Sequence, residues 1–113
     1  MAFLVCYSKA GSVDWGQKAM YLEQSFYELL FESCADRVEF PVLGEVTTLT
    51  YDDEVVIDGD QLEELQSELQ KILALPCVYH EQALAFIEVA GRAQESGIGL
   101  AIAGDMYPVL SRH

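Results

Sequence analysis

Ser96-Gly97-Ile98-Gly99-Leu100-Ala101-Ile102-Ala103-Gly104 is the stretch on which the fold turns. From Ile98 onward it has no charge and no polar side chain, so a strand here is content to be covered on both faces. Such a strand belongs at the centre of a sheet. Just before it, Glu81 to Glu95 carries Ala83, Phe86, Ile87, Ala90 and Ala93 on one side, the spacing of an amphipathic helix. Gly91 lets a neighbour approach that helix closely at a cost of about 1 kcal/mol. Gly97 stands where a C-cap glycine ends a helix.

A second wholly apolar run, Ala2 to Tyr7, is short and precedes the turn cluster Ser8-Lys9-Ala10-Gly11-Ser12, so it reads as a strand. The two apolar strands are expected to be neighbours in the sheet interior. Between them, Leu62, Leu65, Leu69, Ile72 and Leu73 form one helical stripe, opened by a capping box of Asp60 with Glu63 and stopped by Pro76. Asp14 with Gln17 suggests a capping box for a further helix running to about Ala35. Its face is Ala19, Leu22, Phe26, Leu29 and Leu30, widened by Met20, Tyr27, Phe31 and Cys34. Val38 to Ile57 reads as β structure. Val38-Glu39-Phe40 is confined by Pro41, Gly44 marks a turn or bulge, and Glu45 to Tyr51 is rich in β-branched residues. Asp52-Asp53 makes a hairpin turn, and Glu54 to Ile57 returns. The expected order is β-α-β-β-β-α-α-β. This is an α+β two-layer sandwich with one mostly antiparallel sheet of about four to five strands and about three helices.

The 113 residues fit one domain, 1–113, and with 51% apolar residues they can build a core without staples. No run approaches the ~20 apolar residues that span a bilayer. The N-terminal run lacks the basic lead-in and cleavage site of a signal peptide. Cys6, Cys34 and Cys77 are odd in number, widely spaced and flanked by apolar residues, as free core cysteines are. A reducing, cytoplasmic setting is expected.

The net charge is −13, and it is concentrated. Val38 to Gln70 holds ten acids and no base: Glu39, Glu45, Asp52, Asp53, Glu54, Asp58, Asp60, Glu63, Glu64 and Glu68. Such a block speaks against nucleic acid, whose phosphates need Lys and Arg. It is either a solvated face that keeps the chain soluble or an electrostatic surface for a basic protein. In the second reading the contact residues are Glu45, Asp52, Asp53, Glu54 and Asp58, with Trp15 and Tyr51 as aromatic anchors.

Catalytic motifs are missing from the sequence. Cys77-Val78-Tyr79-His80 is half a zinc spacing, and a closed site needs four ligands. Aligning Gly59 with the glycine of a calcium loop puts Val56 and Leu65 at ligand positions, so that motif fails. Ser8 to Ser12 lacks the glycine and lysine pattern of a phosphate-binding loop. No metal or cofactor is expected. A helix such as Ala83 to Glu95, running through Ser96-Gly97 into Ile98 to Ala103, in a small acidic α+β chain, resembles the acidic immunity proteins of bacterial toxin systems. That resemblance implies a cytoplasmic single domain that plugs the basic active site of a cognate toxin, and it assigns no residue a role. Two other functions stay open: a small-molecule-binding or enzymatic domain with a pocket near Ser8–Trp15 and His80, and a structural or assembly subunit using a sheet edge.

Overall fold

The computed structural model describes residues 3–9, 12–33, 38–49, 54–74 and 80–104, residues 15–17 as backbone only. The elements are β1 (Phe3–Lys9), β2 (Ser12–Leu22), α1 (Gln24–Ser33), α2 (Pro41–Val46), β3 (Glu54–Ile57), α3 (Asp60–Leu73), α4 (His80–Glu95) and β4 (Gly99–Gly104). The sheet runs β2-β1-β4-β3, with every neighbouring pair antiparallel. The α+β class and the single antiparallel sheet are as the sequence suggests. The two wholly apolar strands do pair at the centre.

β1 and β4 match residue for residue from Phe3↔Gly104 to Ser8↔Gly99. Alternate residues of a strand face opposite ways. Phe3, Val5, Leu100 and Ile102 join Phe26, Leu30, Leu43, Leu65, Leu69 and Phe86 of all four helices in one core, so the helices form the second layer. Leu4, Cys6, Ala101 and Ala103, on the other face, are buried as well.

Two stretches differ from expectation. Residues 12–22 form a strand, so the helix expected from Asp14 begins only at Gln24. β2 pairs antiparallel with β1, from Phe3↔Leu22 to Lys9↔Ser12. The apparent helical face was real only from Phe26 onward. Ala19 and Met20 pack on the same core from a strand. The second difference is α2. Pro41 does not end a strand; it occupies the first turn of a helix, where its missing N–H costs nothing. Gly44 is buried inside that helix. Thr47 and Thr48 end it by donating from Oγ1 to the carbonyls of Gly44 (2.8 Å) and Glu45 (2.7 Å). The described order is therefore β-β-α-α-β-α-α-β. The hairpin turn expected at Asp52-Asp53 lies outside the described residues, and β3 pairs with β4.

α3 and α4 follow the sequence closely. Leu62, Leu65, Leu69 and Ile72 are buried along one stripe. The capping box is not formed: the N-cap is Gly59, at φ +54°, with no side-chain cap, and Asp60 is already helical. Asp60 and Glu63 instead place negative charge on the first turn, where the helix dipole favours it. α4 ends in a Schellman motif. Gly97 (φ +68°) donates to the Gln94 carbonyl at 3.2 Å, and Ile98 donates to that of Ala93 at 3.0 Å. Gln66 Nε2 donates to Gln94 Oε1 at 2.7 Å, tying α3 to α4.

Glu68 breaks the polar face expected of α3. It is fully buried. Its carboxylate accepts from the Leu43 N–H (2.9 Å) and the Val42 N–H (3.2 Å). Those are the donors that the first turn of α2 leaves over: Pro41 has none, the N-cap Phe40 supplies no side-chain acceptor, and Gly44 already bonds the Phe40 carbonyl at 2.8 Å. Burial raises the Glu68 pKa, Glu64 adds to the rise, and the two N–H groups and Lys71 oppose it. At the other end of α2, Tyr27 Oη donates to the Thr47 carbonyl at 2.7 Å while its ring stacks on Phe3.

Three outcomes are expected for stability. Leu69→Ala should cost about 2–5 kcal/mol in chemical denaturation, as buried leucine truncations do; a cost under about 0.5 kcal/mol would mark a surface position. Glu68→Ala should strand two buried N–H groups at about 1–3 kcal/mol each. Because the folded carboxyl is raised above its unfolded value, its favourable contribution is full below the unfolded pKa and fades as pH rises through the folded one. The stability of the wild type relative to Glu68→Gln should therefore be greatest in acid and shrink toward neutrality. A gap that widens with pH would mean that the two N–H bonds outweigh burial.

Candidate functional site

Charge gives the best-defined surface feature. Of the ten acids between residues 38 and 70, Glu39, Glu45, Glu54, Asp58, Asp60, Glu63 and Glu64 are exposed, while Glu68 faces inward and leaves the set. They lie on the entry to α2, on α2 itself, on β3 and its exit, and on the first turns of α3. Glu39 lies 4.0 Å from Lys71 Nζ, which also donates to the Glu39 carbonyl at 3.1 Å. Among the described residues, Glu54, Asp58, Asp60, Glu63 and Glu64 have no cation within ion-pair reach.

The residues singled out in the sequence are distributed unevenly. Glu54 and Asp58 bracket β3, Glu45 is exposed on α2, and Tyr51, Asp52 and Asp53 lie outside the described residues. Trp15 is not on a helical turn; it belongs to β2, and only its backbone is described. Among the described strands β2 and β3 lie at opposite edges of the sheet, so Trp15 and Glu54 are held apart by β1 and β4. Sequence reasoning passed over Val56. It is 42% exposed beside Glu54, in the middle of the acidic stretch. The signal was present in Val55-Val56: adjacent strand residues face opposite ways, so only one of the two can join the core.

A cleft of about 270 Å³ opens where β1, the β3–α3 turn and the α4–β4 turn meet, lined by Ser8, Asp58, Gly59, Leu62, Gln94 and Gly97 among others. It matches the expected pocket at Ser8 only. His80 is the first residue of α4, and Gln94, on the cleft, is near its last. At 1.5 Å per residue that separates them by about 20 Å. Ser8 and His80 therefore do not share a site. Cys6 is buried, and burial with the nearby Asp14 charge raises its pKa, which suits an inert thiol more than a nucleophile. Among the described residues no three His, Cys, Asp or Glu side chains converge as metal ligands. No described helix is long and apolar enough to cross a membrane.

The arrangement offers long-range attraction to positive charge and one exposed strand within it. Comparison with protein-family models, with curated proteins and with solved structures gives no match.

Proposed function

We infer that the protein is a non-catalytic binding module, an immunity-type inhibitor that neutralises a basic toxin or enzyme by covering it with the acidic surface. One observation carries this reading: Glu54, Asp58, Asp60, Glu63 and Glu64 are exposed within a single β-turn-α segment and share no cation among the described residues. Like charges held this close repel one another, which lowers the stability of the compact state. A basic partner relieves that repulsion, and the same field draws the partner in. The burial of Glu68 sharpens the argument, because an acid that serves α2 is separated from the acids that stay exposed to solvent.

The test begins with capture of the partner from the native cell and its identification by mass spectrometry. Association rates are then compared for the wild type and for the combined variant Asp58→Lys, Glu63→Lys and Glu64→Lys. At low ionic strength the reversal should slow association tenfold or more, on the order of lost electrostatic steering, and the difference should narrow as salt rises. An acidic partner, or equal rates for both proteins across the salt series, would leave the acids as a solvated face and end the inhibitor reading.

A further inference from the structure

Among the described residues, the two outer strands of the sheet are built differently. β2, at one edge, loses register with β1 twice, between Val5 and Cys6 and again between Cys6 and Ser8, and it carries the exposed Lys18. Bulges and lysines are the usual means by which an edge strand avoids pairing with another chain. β3, at the other edge, has neither. Its four residues keep strict register with β4, from Glu54↔Ala103 to Ile57↔Leu100, and include no proline, glycine or lysine. Glu54 and Val56 are exposed and Val55 is half-buried. On its outer side β3 has no partner strand among the described residues.

An edge strand turns the N–H and C=O groups of alternate residues outward, ready for another strand. Here that edge is flanked by acids, with Glu54 at one end and Asp58 just beyond the other. Two copies of the chain meeting edge to edge would set acid against acid, and like charges opposite one another destabilise a strand pair. A basic strand meets the opposite situation. We propose that β3 is a docking edge for strand addition by a basic, extended segment of the partner. Main-chain bonds to β3 then supply the common part of the affinity, and side chains supply the choice. Glu54 and Val56 are two residues apart and share a face, so the incoming strand presents Lys or Arg opposite Glu54 and an apolar residue opposite Val56. This rests on the acidic-surface reading and specifies how the partner is held.

The probe is a short acetylated, amidated peptide in which lysine and valine alternate with threonine, added to the full chain at low salt. Amide hydrogen exchange of residues 54–57 is followed by NMR. The peptide should bind saturably and slow the outward-facing β3 amides by about tenfold or more, since exchange reports new hydrogen bonding. An analogue with glutamate in place of lysine should not bind. Glu54→Lys should reverse the preference, losing the lysine peptide and accepting the glutamate one. The proposal is overturned by absence of saturable binding, or by shifts confined to the α3 acids with unchanged exchange in β3. It is equally overturned if the chain alone self-associates and protects the same amides, which would make a second copy the occupant. A reversal confined to α3, Glu63→Lys with Glu64→Lys, separates the two ideas. If it slows the native partner while the peptide fails, the acidic surface stands and strand addition falls; if it has no effect while the peptide adds to β3, the reverse holds.

Discussion

Everything in the fold is arranged around the β1–β4 ladder. Neither strand has a polar side chain to spare until Ser8, so polarity cannot set which way they face. Size does so instead. In β4 the large Leu100 and Ile102 alternate with Gly99, Ala101 and Ala103, and in β1 Phe3 and Val5 fall on the side of Leu100 and Ile102. In β4 the large residues meet the helices and the small ones face away, on the side where β1 carries Leu4 and Cys6. A slip of one residue would send the small set into the core and leave it underfilled. The ladder also has a fixed starting point. The Schellman turn at Gly97 ends α4 one step before the strand begins, and at Gly99 a Cβ would stand 2.9 Å from the Ile57 carbonyl. Only glycine lets β3 close on β4 there.

With that ladder in place, the acidic segment is divided by the fold into two kinds of carboxylate. Glu54, Asp58, Asp60, Glu63 and Glu64 remain in water, where like-charge repulsion is moderate and screened by salt. Glu68 is drawn inside, because α2 starts with a proline, lacks a capping side chain and still has two N–H groups to satisfy. Lys71, one turn further along α3, lies over the Phe40 ring and bonds the Glu39 carbonyl, so α3 grips the start of α2 with both a carboxylate and an ammonium. Among the described acids Glu68 is the one withdrawn from the outward field, while Glu54, Asp58, Asp60, Glu63 and Glu64 stay together in one continuous part of the chain.

How far the sequence could be read follows from which signals were unopposed. β1, β4, α3 and α4 were legible because each has one pattern without competition: unbroken apolarity in the strands, a long 3.6-residue stripe in the helices. β2 was hidden by an accident of spacing, since Ala19 and Leu22 continue the helical face of Phe26 and Leu30 backward across Glu23, where the chain changes from strand to helix. Gly11 after a short strand and Gly16 within the supposed helix were the contrary signs. α2 was hidden more deeply. Val46, Thr47, Thr48 and Leu49 favour strands, and what holds residues 41–46 in a helix is Glu68, which is remote in sequence and sits on what looks like a polar face. Of the candidate surface, the concentration of charge was legible, except that Glu68 counted toward it and is buried. Its division into edge, turn and helix was not, and neither was the exposure of Val56, because both depend on β3 pairing with β4 and not with the residues before it.

The dependence of α2 on Glu68 bears on the order in which the chain assembles. A six-residue segment with an initial proline and an internal glycine is far below the length at which a helix persists alone in water. Its first-turn donors find their acceptor only once α3 has presented it, 25 positions further along the chain from Leu43. α2 is thus expected to form late, once α3 is in place to accept its first-turn N–H groups. Substitutions at Val42 or Leu43 should then act mainly on the unfolding rate, whereas those along the Leu65–Leu69 stripe should slow folding itself.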